Sequence, residues 1–153
     1  MTIKSIAYKP EDATEHAVGY LRVLLERATL IAGYGIEGDS KGGNPNRHLN
    51  VMDDVTLAEL AAEGYPASRS LGQNITLSGI DLRTLPMGTQ LRLGPESVIE
   101  LLKLRTGCEQ LTALDGRMPD AVQGRIGVMC QVVQGGPIAV GDAVQVLGEA
   151  VRK

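Results

Sequence analysis

The sequence predicts a mainly β domain with a few helices, its strands curling into a barrel-like sheet. Three observations lead there. Nineteen glycines, with scattered prolines, cut the chain into short apolar runs, which is the punctuation of strands and turns. Phe and Trp are absent and Tyr occurs only four times, so the core must be aliphatic. Finally, Gly88–Gly94 (GTQLRLG) echoes Gly141–Gly148 (GDAVQVLG), two similar strand starts of the kind a closed or nearly closed sheet uses. With 153 residues, 43% hydrophobic and 22% charged, the chain suits one domain spanning 1–153 with a substantial core. No linker or charge block divides it.

The elements follow in order. Thr2 to Ala7 reads as the first strand. The stretch Ala17 to Ala32 satisfies neither the helical nor the strand period, and a strand is expected at its end, over Ala28–Ala32. Gly33 to Asn46 is polar and Gly-rich, so it is expected to be a loop. Leu49 to Val51 suggests a short strand leading into the clearest helix, Asp54–Ala62. Asp53 or Asp54 can cap that helix, Leu57, Leu60 and Ala61 form its inward stripe, and Gly64 and Pro66 end it. Strands are then expected at Asn74–Leu77 and, after the Pro86–Gly88 turn, at Gln90–Leu93. Val98–Leu104 is apolar on both faces and therefore central. Ile126, Val128, Cys130 and Val132 alternate along one strand face, Gly135–Pro137 turns the chain, and Ala143–Leu147 is the last strand.

Charge and composition exclude several functions. A net charge of -3 without a basic run leaves nothing to neutralise a phosphate backbone, and there are few aromatic side chains on which bases could stack. No nucleic-acid partner is expected. No run approaches the ~20 apolar residues of a membrane span, and the N-terminus lacks a signal-peptide pattern. A cytoplasmic protein with free thiols fits best.

Few motifs carry chemistry. Gly33-Tyr34-Gly35-Ile36-Glu37-Gly38 is a literal G-x-G-x-x-G, but Asp39-Ser40-Lys41-Gly42-Gly43 cannot open the helix a dinucleotide site needs. A glycine-rich loop that needs positive φ angles and lines a pocket is the better reading. Cys130 lies in period with Val128 and Val132 and reads as a small buried hydrophobe. Cys108, by contrast, follows the central strand, with Gly107 before it and Glu109-Gln110-Leu111 able to start a short helix. A thiol at a helix N-terminus near Arg105 has an enlarged thiolate fraction, the form that attacks sulfur or ligates metal, while Glu109 opposes this. His16 and His48 have no metal-ligand spacing with either cysteine, so a structural zinc site is not expected. Arg47, Arg69, Arg105, Arg117 and Arg125 fall in loops and at strand ends; two or three converging near Cys108 would make a pocket for a phosphate.

These pieces, in this order, resemble the MOSC domain family, found at the C-terminus of molybdenum-cofactor sulfurases and as small free-standing bacterial proteins. The resemblance rests on Gly35-Ile36-Glu37-Gly38-Asp39, Gly42-Gly43 with Arg47, and Leu71-Gly72-Gln73-Asn74-Ile75. It continues through Gly79-Ile80, Leu91-Arg92-Leu93-Gly94, Arg105-Thr106-Gly107-Cys108 and Arg125-Ile126-Gly127-Val128 to Gly141-Asp142. It covers residues 30–147 and implies a MOSC-type barrel-like fold. It also implies that Cys108 either ligates the molybdenum of the pterin (molybdopterin) cofactor or carries sulfur as a persulfide. Two departures stand out: Gly107 replaces the family's frequent Pro, and Gln73 its frequent Glu, which removes a carboxylate.

The resemblance implies two functions of different class. In the first, the Cys108 thiolate ligates molybdenum, and Arg47, Arg105 and Arg125 hold the cofactor phosphate. Asn74 holds the pterin, Asp39 is a further cofactor-binding residue, and the protein reduces N-oxygenated compounds with electrons from a separate reductase. In the second, Cys108 accepts a persulfide from a cysteine desulfurase and delivers the sulfur for metal–sulfur cofactor assembly. A non-catalytic binding module is a third reading. Pyridoxal phosphate belongs to the family's separate desulfurase domain and is not expected to bind here. A homodimer is a further candidate assembly.

Overall fold

The computed structural model describes residues 1–8, 23–39, 49–64, 73–104 and 127–149. These carry eleven strands, one α-helix and a 3-10 turn. The strands are β1 (Thr2–Tyr8), β2 (Val23–Leu25), β3 (Arg27–Ile31), β4 (Gly35–Ile36), β5 (Leu49–Asp53), β6 (Ile75–Ser78), β7 (Thr89–Leu93), β8 (Ser97–Leu104), β9 (Val128–Gln134), β10 (Gly136–Ala139) and β11 (Val144–Glu149). Helix α1 (Asp54–Ala62) follows β5, and the 3-10 turn covers Leu82–Thr84. The mainly β expectation holds.

Eight strands form one sheet in the order β11-β7-β8-β9-β5-β6-β1-β2, and β10-β3-β4 form a second. All neighbours are antiparallel except β5 and β6, which run parallel because α1 lies between them in the chain. The large sheet curls. Thr2 bridges to Ala143, and Ile3 N–H donates to the Asp142 carbonyl at 2.9 Å, so β1 meets the start of β11. The echoed segments also meet: β7 and β11 are antiparallel neighbours, with Val144 opposite Leu93. Inside the curl lies an aliphatic core that includes Ile6, Leu49, Val51, Ile75, Leu101 and Val128. Burying such side chains contributes roughly 1.5–3 kcal/mol each, and the core needs no aromatic ring.

Local chemistry sets the element ends. Asp53 is the N-cap of α1, its Oδ1 accepting from Thr56 N–H at 2.6 Å, while its Oδ2 accepts from Leu82 N–H at 3.0 Å. Asp54 instead accepts from Ser78 Oγ at 2.8 Å, fixing the end of β6. The helix bounds agree with the sequence reading, but its inward face does not. Thr56 and Leu60 are the buried pair, four apart over β5 and β6, and Ala61 is exposed. Two further expectations need correction. Gly35–Ile36 pairs with β3 inside the expected loop. Gly136 and Pro137 are strand rather than turn, with Pro137 opposite Thr29. Proline is tolerated there because β10 is an edge strand of its sheet.

Candidate functional site

One transverse row organises the large sheet. The pairings place Leu104, Val128, Val51, Ile75, Ile6 and Leu25 side by side across six strands. The connections 9–22 and 105–126 meet the described strands within two residues of this row at both ends, and 40–48 and 65–72 do so where the chain re-enters at Leu49 and Gln73. At ~3.3 Å per residue that is a band roughly 7 Å deep on either side. The segments that contain Arg47, Cys108 and Arg125 are therefore anchored along a single line.

Polar side chains are buried beside this line. Asn74, just before β6 and 4% exposed, behaves as a three-way clamp. Its Oδ1 accepts from Asn50 N–H at 2.9 Å, and its Nδ2 donates to the Ala7 carbonyl at 3.2 Å and to Asp39 Oδ2 at 2.9 Å. Its own backbone N–H donates to the Asn50 carbonyl at 2.8 Å, and its carbonyl accepts from Ala7 N–H at 2.6 Å. One residue thus stitches β5 to β1 and holds the Asp39 carboxylate. Asp39 is fully buried. Its carbonyl accepts from Tyr34 Oη at 2.7 Å, which ties down the glycine-rich turn. In that turn Gly33, Gly35 and Gly38 all have positive φ, at 73°, 120° and 87°. The G-x-G-x-x-G string is a backbone requirement, and the chain it shapes delivers Asp39.

On the other side of β5, Gly127 begins the return from the 105–126 connection with φ 106°. A Cβ there would lie 2.5 Å from Asn50 Oδ1, 2.8 Å from Met52 Cγ and 2.8 Å from the Val51 carbonyl oxygen. No side chain fits. A shallow open cleft, lined by Met52, Thr56, Leu82, Arg83, Leu104 and Gly127 among others, lies next to this contact. Arg83 on its wall is bridged to Asp81 at 2.9 Å and Glu59 at 3.0 Å.

Of the residues singled out by sequence, Asp39 and Asn74 are in direct contact. Cys108, Arg47, Arg69, Arg105, Arg117, Arg125, His16 and His48 lie outside the described residues. Both Asn74 N–H groups are used within the protein, leaving a lone pair of Oδ1 for any further donor. Cys130 is fully buried in the core, and burial pushes its thiol well above the ordinary range. Among the described residues no cluster of three or more His, Cys, Asp or Glu could hold a metal, and no helix is long and apolar enough to cross a membrane. Sequence reasoning missed Asn50. The signal was there: it is the lone amide in the apolar run Leu49–Met52, and 4% exposed.

A curled strand-rich sheet with buried Asn and Asp side chains beside one transverse row defines a mainly β domain. A model of the MOSC domain matches residues 39–145, and the chain belongs to the MOSC domain family. That family is associated with binding of the molybdenum cofactor. Similar solved structures include YiiM from Escherichia coli, at 20% identity and TM-score 0.69, covering 99% of this chain and 72% of that one. YiiM from Geobacillus stearothermophilus aligns at 17% identity and TM-score 0.72, over 95% and 74% of the two chains. The YuaD protein from Bacillus subtilis aligns at 19% identity and TM-score 0.72, over 95% and 96%. At this identity the likeness establishes the fold. No curated protein matches.

Proposed function

We propose that the protein binds the molybdenum cofactor through Cys108 and works as a small reductase of N-oxygenated compounds, fed with electrons by a separate reductase. The observation that supports it best is the buried Asp39 carboxylate held by Asn74, one residue before Ile75 in the row from which the connections bearing Arg47, Cys108 and Arg125 depart or return. The donor set suits the cofactor. A thiolate is a soft ligand for a transition metal, and arginine forks match a phosphate. Bound there, the metal would supply two-electron oxygen-atom chemistry. The chain's own contributions are separate. Arg47, Arg105 and Arg125 would neutralise the phosphate, and Asp39, held by Asn74, would offer a carboxylate acceptor to the N–H edge of the pterin. The single-domain extent, 1–153, belongs to the same proposal.

Molybdenum and pterin analysis tests this reading on protein made in cells that synthesise the cofactor. The expected result is molybdenum and pterin co-purifying with the native chain and lost from Cys108→Ser. A chain free of both would overturn it. Sulfur mass added at Cys108 by a cysteine desulfurase, in such metal-free protein, would put the persulfide relay in its place.

A further inference from the structure

We infer that Tyr34 is a positioning residue, whose phenol fixes the main chain at Asp39 and so aims the carboxylate that Asn74 holds. Its purpose rests on the proposed function, in which Asp39 meets the pterin, but the geometry stands by itself. Tyr34 Oη donates to the Asp39 carbonyl at 2.7 Å, and the Asp39 N–H donates to the Ile36 carbonyl at 3.1 Å. The peptide groups on both sides of the Asp39 Cα are therefore tied. Because φ and ψ are the only soft backbone angles, these two bonds fix the direction of the Cα–Cβ bond along which the carboxylate leaves. Asp39 Oδ2 then accepts from Asn74 Nδ2 at 2.9 Å.

The glycine-rich string places the phenol. Gly33 and Gly35, on either side of Tyr34, have φ of 73° and 120°, so the chain reverses about Tyr34 and returns within reach of its hydroxyl five residues later. The turn is rooted on its neighbours. Gly33 N–H donates to the Val132 carbonyl of β9 at 3.1 Å, Tyr34 N–H to the Ile31 carbonyl at 3.0 Å, and Glu37 N–H to the Thr29 carbonyl at 2.9 Å. Tyr34 thus refers Asp39 to β3 and β9, while Asn74 refers it to β1 and β5 through Ala7 and Asn50. The carboxylate stands at a junction of the two sheets, and it is fully buried. Each donor to a buried carboxylate offsets part of a large desolvation cost, so its alignment matters. Phe at position 34 would fill the same space and take this donor away.

The test reads the grip between Asp39 and Asn74. In isotope-labelled protein free of cofactor, nuclear magnetic resonance should show the Asn74 Nδ2 protons exchanging slowly with solvent. Tyr34→Phe removes one hydroxyl, and their exchange should become roughly fivefold faster, the local opening that one hydrogen bond of ordinary net worth allows. The resonance should shift while the melting temperature stays close to native. Asp39→Ala, which takes the acceptor away, sets the upper limit. Val144→Ala, a core truncation in β11, should lower the melting temperature and leave the exchange near native. Unprotected Nδ2 protons in the native chain overturn the inference, and so does Tyr34→Phe with native exchange and a native shift. Faster exchange that only accompanies a fall in melting temperature as large as that of Val144→Ala also overturns it, because Tyr34 is then a general stabiliser. In protein that carries the pterin, Tyr34→Phe should retain less of it, and equal retention overturns the aiming role. The exchange readout needs no cofactor, so its failure and the failure of the proposed function are told apart.

Discussion

Asp53 and Asp39 are both buried carboxylates near one sheet row, yet their partners differ in kind. Both Asp53 oxygens accept from backbone N–H groups, Thr56 in the first turn of α1 and Leu82 in the 3-10 turn. Asp39 Oδ2 accepts from the Asn74 side chain, which is itself held by backbone at Asn50 and Ala7. A carboxylate tied to main chain welds two elements and has no freedom to serve anything else. One tied through a side chain depends on how that side chain is itself held, here by Asn50 and Ala7. Asp53 belongs to the scaffold, and the proposed function gives Asp39 to the site.

That contrast can be broken by substitution. Asp53→Ala removes a helix cap and a second charge-assisted hydrogen bond. The expected loss is about 2–4 kcal/mol in urea unfolding. A loss well under 1 kcal/mol would show that Asp53 welds nothing. Asp39→Asn keeps the size and an acceptor for Asn74, so its stability should stay within about 1 kcal/mol of the native chain. Its molybdenum content should fall clearly, and equal retention would return Asp39 to the scaffold. The smallest effect is expected from Asp81→Asn, a half-exposed surface carboxylate that serves as the reference. Hydrogen bonding from Arg83 holds the Asp81 carboxyl below its ordinary value. Its stabilisation is therefore present above the unfolded carboxylate range and lost as pH falls through the depressed folded value. Asp81→Asn should cost only a few tenths of a kcal/mol at neutral pH. Below the carboxylate range the melting temperatures of variant and native chain should converge.

How much of this was legible in the sequence depends on what each residue answers to. Helix α1 was readable to the residue because its cap and its stop are local chemistry. Strand β9 was readable because Val128, Cys130 and Val132 alternate on one face of the core. Ala61 was misassigned because a two-turn helix over a curved sheet buries only the positions nearest the strands, Thr56 and Leu60. Gly136–Pro137 looked like a turn because composition alone cannot show that an edge position in the second sheet lets proline keep its place. Asp39 and Asn74 were named through the family pattern, but their contact is 35 residues long-range and depends on the parallel β5–β6 pairing. No local rule predicts that pairing.

The bridge between Thr2 and Ala143 has a consequence for how the chain acquires its shape. Strand β1 finds its partner β6 only after some seventy residues, as Ile6 opposite Ile75 shows, and β3 pairs with β10 after more than a hundred, as Ala28 opposite Ile138 shows. A nascent chain therefore leaves the ribosome with β1 paired on one side only, to β2, and β3 on one side only, to β4. Closing loops of this length before any contact rewards them makes folding slow, on the order of milliseconds to seconds. During that wait β1 and β3 are exposed templates for misassembly. Lys4 and Ser5, between the buried Ile3 and Ile6 of β1, and the exposed Arg27 of β3, place polar groups where stray strands would otherwise dock.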